Sequence, residues 1–117
     1  MRYMFLIYSR ETAMVGMSAT DMDELKAAHW AVMDETLAKG IFQGAEPLHP
    51  TATATTVRLE GGKPLVLDGP FAEAREVVGG IFLLTCETRA EAVAIARECP
   101  AAAWASIEVR ELGPCFH

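Results

Sequence analysis

Residues 2 to 9 carry apolar side chains at both phases of an extended chain, with Met4, Leu6 and Tyr8 alternating against Tyr3, Phe5 and Ile7. Such a run predicts a central strand covered on both faces. The period then lengthens. Thr20 with Asp23 three residues on has the form of a capping box, helical spacing continues to Lys39, and Gly40 supplies the stop. Together these predict a first helix over about residues 21 to 39. Ile41 to Gly44 read as a short strand, and the proline-bracketed residues 47 to 53 as a loop.

Beyond that loop, Thr55, Val57 and Leu59 alternate with Thr56, Arg58 and Glu60. After Gly61-Gly62 the chain returns as Pro64 to Asp68, the pattern of a hairpin with half-exposed arms. Residues 70 to 78 predict a loop or short helical turn, and Gly80 to Cys86 a further strand that is apolar on both faces. Thr88 and Glu91 form a capping box ahead of Ala92, Val93, Ile95, Ala96 and Cys99, and Pro100 ends this second helix. Trp104 to Leu112 alternate as a last strand, with Ala105, Ile107 and Val109 opposite Ser106, Glu108 and Arg110.

The order β-α-β, hairpin, β-α-β predicts one α+β domain over residues 1 to 117: a ferredoxin-like antiparallel sheet with two helices on one face and an inserted hairpin. Two helices cover one face only, so a sheet that is apolar on both sides needs a further layer. A second copy meeting it face to face is the simplest such layer, and the expectation is a homodimer whose sheets close an α+β barrel.

Composition strengthens that expectation, because 51% hydrophobic residues and a mean hydropathy of +0.19 are high for so short a chain and imply apolar surface shared with a partner. Sixteen acidic against ten basic residues give a net charge of −6, with no Lys/Arg cluster, which speaks against nucleic acid as a partner. The apolar N-terminal run is too short for a membrane span and lacks the form of a signal peptide, so the expected setting is cytoplasmic, away from membranes. Cys86, Cys99 and Cys115 are odd in number and show no C-x-x-C spacing, which indicates neither a disulfide frame nor a zinc site. His49 and His117 add no ligand spacing to His29, and Gly61-Gly62 and Gly79-Gly80 lack the strand-to-helix context of a phosphate loop. No metal or cofactor is expected.

The candidate chemistry gathers at two places. On a helical wheel Met22, Leu25, Val32 and Met33 share one arc of the first helix, Asp23, Glu24, Asp34 and Glu35 lie opposite, and His29 falls near the middle of the apolar arc. An imidazole facing the sheet needs partners for its ring nitrogens. Asp68 at a strand end is one such partner: a carboxylate on one nitrogen fixes the tautomer and leaves the other free to move a proton in an isomerisation, elimination or hydrolysis. Both residues also have ordinary readings. A single histidine on an apolar face is more often a satisfied core residue, and Asp before Gly69-Pro70 can bond the amides of its own turn. Glu73 and Glu76 could share a proton on a short helix or form a solvated face, Arg58 could meet an anionic substrate or serve solubility, and Tyr8 could line a pocket or pack.

Several segments resemble the DGPF proteins, a branch of the YCII-related family: the opening Met1 to Tyr8, the stretch Thr53-Ala54-Thr55-Thr56-Val57-Arg58, the signature from Asp68 to Gly80, and Glu108-Val109-Arg110. The resemblance spans essentially the whole chain and implies a dimeric α+β barrel. It also implies a His-Asp pair as catalytic dyad, carried onto His29 and Asp68, with Tyr8, Arg58 and Glu73 as substrate-binding candidates. The function so implied is that of a small dimeric enzyme-like protein doing acid/base chemistry on a small organic molecule. The alternative is a non-catalytic dimeric metabolite-binding module, or a regulatory one, since genes of this type often stand beside extracytoplasmic-function sigma factors.

Overall fold

The computed structural model describes residues 1–10, 12, 16–70 and 75–114. Strand β1 (Arg2–Ser9) runs centrally and pairs antiparallel on one side with β5 (Val77–Thr85) and on the other with β6 (Ser106–Glu111). Strand β2 (Phe42–Pro47) adds to the far side of β5, giving the order β2-β5-β1-β6. Helix α1 (Ala19–Ala38) links β1 to β2, and α2 (Arg89–Glu98) links β5 to β6. Each crossover joins two parallel strands with an antiparallel one between them, the split β-α-β topology of the ferredoxin-like fold.

Alternation decides what each strand buries. Tyr3 and Phe5 on β1 meet Leu84 and Phe82 on β5, and all four are sealed on the helix-covered face. Phe82 is stacked on Phe5 at 5.8 Å between ring centroids and meets Phe42 edge-on at 5.3 Å. Each such side chain contributes roughly 1.5–3 kcal/mol by leaving water. Val32 of α1 and Ala92, Ile95 and Ala96 of α2 close the core from above. Thr36, buried on α1, satisfies its hydroxyl by donating to the carbonyls of Val32 and Met33 at 3.0 and 2.9 Å. On the opposite face Met4 and Leu6 of β1 lie beside Leu83 and Ile81 of β5, half-buried and covered by no helix among the described residues.

The hairpin of β3 (Thr55–Glu60) and β4 (Lys63–Asp68) is a separate two-stranded sheet. Gly61 and Gly62 turn it with φ of +60° and +79°, the conformation that a tight two-residue connection demands. Its base is fastened by the Gly69 amide donating to the Ala54 carbonyl at 2.7 Å and by Thr56 Oγ1 donating to the Gly69 carbonyl at 2.8 Å. Gly69 has φ of +101°, so the bend between Asp68 and Pro70 requires glycine. No helix covers either face of this ribbon among the described residues, and most of its side chains are exposed. The radius of gyration is accordingly 16.5 Å, against about 13 Å for a compact chain of this length.

The expected elements are present with shifted ends. Helix α1 starts earlier, because the hydroxyl of Ser18 rather than that of Thr20 accepts the cap bond, from the Asp21 amide at 3.0 Å. Strand β2 runs to Pro47 instead of stopping at Gly44, an edge position where a missing N–H costs no ladder bond. Strand β5 begins at Val77, within the stretch read as loop, because Gly79 is accommodated as a bulge: Ile7 faces Gly80 while Tyr8 faces Val78. The last strand is shorter than its alternation implied, since Pro100–Ala103 form a 3₁₀ turn and pairing begins only at Ser106.

Candidate functional site

The apolar arc of α1 is used in two ways. Toward its C-terminal end Val32 and Thr36 are pressed onto the core, whereas Met22, Leu25 and His29 nearer its start are only half-buried. The helix therefore overhangs the sheet instead of sealing it. The gap is a cleft of about 710 Å³, roofed by α1, floored by Ile7, Phe82 and the Val77–Gly80 stretch, and closed at its sides by Leu48–Pro50 and by Ala101 and Trp104. Sequence and shape agree at the floor. Gly80 stands opposite Ile7 where a side chain would otherwise rise, and the Gly79 bulge re-aims the strand beside it.

His29 lies in this wall, half-buried, with Met22, Leu25 and Met33 on the same helix face. Trp30, 58% exposed, flanks the opening. The surroundings are mainly apolar, but Arg10, Lys26 and His49 also reach the wall, against Glu46 as its carboxylate among the described residues. Neither Arg10 nor Lys26 belongs to an ion pair among those residues. The arrangement can enclose a small, largely apolar molecule and present an imidazole to it.

The other sequence candidates lie elsewhere in the single chain. Asp68 is exposed at the end of β4, opposite Thr55, and is not part of the cleft wall; no hydrogen bond joins it to His29 among the described residues. It stands at the hairpin base, paired with Thr55, the residue of the other arm that follows the Leu48–Pro50 rim most closely. Tyr8 is half-buried on the open face of the sheet with Met4 and Leu6, while its neighbours Ile7, Ser9 and Arg10 line the cleft. Arg58 is exposed on the hairpin, 3.5 Å from Glu60. Glu73 lies outside the described residues.

The two described thiols, Cys86 and Cys99, are buried parts of the core. Burial, with Glu98 adding, pushes Cys99 up to about 11, and burial followed by Glu91 raises Cys86, so both are held as uncharged thiols rather than nucleophilic thiolates. Sequence reasoning missed Trp30, Trp104, Arg10 and Lys26. Trp30 and Lys26 carried a signal, since Met22, Lys26, His29, Trp30 and Met33 follow helical spacing, whereas Arg10 and Trp104 are brought in only by the tertiary fold.

With this geometry in hand, comparison with known proteins is specific about lineage. A family model described as the YCII-related domain matches residues 1–115. An uncharacterized protein of Rhizobium meliloti is 32% identical over 114 residues, covering 96% of this chain and 92% of that protein. Among solved structures, 5-chloro-2-hydroxyhydroquinone dehydrochlorinase from Burkholderia phenoliruptrix, in complex with 2,5-dihydroxybenzoquinone, superposes with a TM-score of 0.53. That match covers 97% of this chain and 94% of the other at 16% identity, a likeness of fold. No helix among the described residues is long and apolar enough to cross a membrane.

Proposed function

Because this chain belongs to the YCII-related family, we propose that it is a small dimeric enzyme-like protein that holds a small organic molecule in the cleft beneath α1. His29 acts there as general acid or base. The observation that carries this reading is the half-buried imidazole in the wall of an otherwise mainly apolar cleft. The ferredoxin-like fold it shares with a dehydrochlorinase is consistent with acid/base work on a cyclic substrate, though the fold itself does not choose the reaction. In this reading Asp68 orients His29. The pairing requires the hairpin base to close over the Leu48–Pro50 rim, or the carboxylate to arrive from a second copy. Tyr8 and Arg58 would bind substrate only through such a rearrangement or across a dimer contact, and Glu73 is given the same role from the resemblance alone.

The dimer is supported by two apolar surfaces that nothing covers among the described residues: the sheet face of Met4, Leu6, Ile81 and Leu83, and the hairpin, where Val57, Leu59 and Val66 are 66%, 73% and 61% exposed. An isolated two-stranded ribbon is marginal in water, and a second copy would cover both surfaces at once.

One observation favours a binding module without catalysis: among the described residues His29 has no hydrogen-bonded carboxylate to fix its tautomer. A thermal-shift screen of small phenols, ring ketones and organic acids separates the two. A ligand for the cleft raises the melting temperature by mass action. For any such compound, His29→Gln should preserve binding and abolish conversion of the ligand, followed by its absorbance over hours. Retained conversion in His29→Gln would remove the imidazole from the chemistry, and binding without conversion in either protein would favour the module.

A further inference from the structure

We propose that Ser9 is a ligand-binding residue of the cleft, and that the ligand it selects is a neutral, largely apolar molecule whose hydroxyl or carbonyl oxygen meets the Ser9 hydroxyl. This inference rests on the cleft reading above and deepens it. It begins from how the lining residues divide by exposure. Arg10, Lys26, Glu46 and His49 are all exposed and stand at the rim. The half-buried and buried lining is apolar or glycine, except for Ser9 and His29. The indole of Trp104 adds no third polar group, because its Nε1 is sealed from solvent and so does not open into the cleft. A charged ligand would leave water for an interior that holds no lysine, arginine or carboxylate among its described residues, a cost that a neutral ligand does not meet.

The alternation of β1 brings this hydroxyl inside. Tyr3, Phe5, Ile7 and Ser9 share the helix-covered phase; Tyr3 and Phe5 are 1% and 0% exposed, while Ile7 and Ser9 are half-buried and line the cleft. Ser9 is therefore the polar end of a row that is otherwise given to core packing. Among the described residues neither its Oγ nor a ring nitrogen of His29 has a hydrogen-bond partner, and neither group is sealed from solvent. Both are free to bond to what the cleft receives.

A second observation concerns what leaves the hydroxyl uncovered. Ser9 pairs with Val77, and the bulge in β5 sets Gly79 close by: a Cβ added at Gly79 would lie 3.5 Å from Ser9 Oγ, in van der Waals contact. The φ of Gly79 lies outside the left-handed region, so its backbone does not require glycine. What the missing side chain provides is access to the hydroxyl, as expected of a strand glycine where a ligand comes close. A serine hydroxyl donates to a ring carbonyl or accepts from a phenol or enol, and so serves either form of oxygen. The apolar body of the ligand then lies against Ile7, Val78 and Phe82, with His29 in the roof.

The test uses 2-naphthol and its near-isostere 2-methylnaphthalene, both neutral at pH 7, with the intact protein. Affinity is read by equilibrium dialysis and occupancy of the cleft by the ring resonances of His29. Ser9→Ala should weaken 2-naphthol by about fivefold, the loss of one hydrogen bond, and leave 2-methylnaphthalene unchanged. Gly79→Ala, which sets a methyl group against Oγ, should also weaken 2-naphthol selectively, and should add nothing further in the Ser9→Ala background. An equal loss in that background would show that the Gly79 effect does not run through the hydroxyl. If Ser9→Ala binds 2-naphthol as tightly as the native protein while His29 still moves, Ser9 is rejected and the cleft stands. If neither compound moves His29, the cleft reading itself falls, and this inference with it.

Discussion

The central sheet and the β3–β4 hairpin are built from the same kind of sequence, alternating strands rich in β-branched and aliphatic residues, yet they fare differently. On β1 and β5, Phe5, Phe82 and Leu84 are 0%, 2% and 0% exposed, whereas Leu59 and Val57 on the hairpin are 73% and 66% exposed. Both ladders are intact, so backbone pairing does not separate them. What separates them is a covering layer. The sheet has α1 and α2 on one face, and among the described residues the hairpin has no such cover on either. Its apolar side chains gain little burial among the described residues, and the proposed homodimer would supply the surface they lack.

The comparison can be broken most directly from its strong side. Phe5→Ala removes a sealed ring stacked on Phe82 and should cost about 3–5 kcal/mol in chemical denaturation, enough to unfold a marginal domain. Thr88→Ala acts on the rim of the same core. It deletes the cap bond accepted from the Glu91 amide at 3.2 Å, while the Glu91 carboxylate accepts from the Glu87 amide at 3.1 Å, and should cost about 1 kcal/mol.

A smaller effect is expected from pH. Tyr3, Cys86 and Cys99 sit in or against the core with burial raising each of them, so the folded state keeps protons that the unfolded chain gives up. Their stabilisation is complete below the unfolded values and is lost as pH rises: for Cys99, from its ordinary 9.0 through about 11. The melting temperature should therefore fall across that alkaline range, and Cys99→Ala should flatten part of the fall. An unchanged slope in that variant would deny its thiol the role.

The smallest effect belongs to the hairpin. Leu59→Ser should change the stability of dilute protein by less than about 0.5 kcal/mol. If the proposed homodimer covers the ribbon, the cost should grow with protein concentration; a large cost at high dilution would show that the single chain already buries Leu59.

Much of the architecture is written in local signals. The two-sided apolarity of β1, the Thr88/Glu91 cap, the Gly61-Gly62 turn and the His29 face of α1 can all be read from spacing alone, because each depends on neighbours within a few residues. The ends of elements were less legible. Ser18 and Thr20 are both of a residue type that caps helices, and only the observed bond from the Asp21 amide chooses Ser18. Gly79-Gly80 look like a break, but paired across from β1 they become a bulge within β5. The cleft was not legible at all, since it exists because α1 lifts from the sheet at one end and because β1, β5 and the turn carrying Ala101 and Trp104, far apart in sequence, are brought together around the gap.

The claim on which the rest turns is that the cleft under α1 receives the ligand and that His29 faces it. Histidine-selective ring spectra of the protein with any compound from the stabilising screen test this directly. The account predicts that the His29 resonances shift on saturation, with smaller movement at His49 on the cleft rim. Stabilisation by a bound compound that leaves His29 unmoved would contradict it.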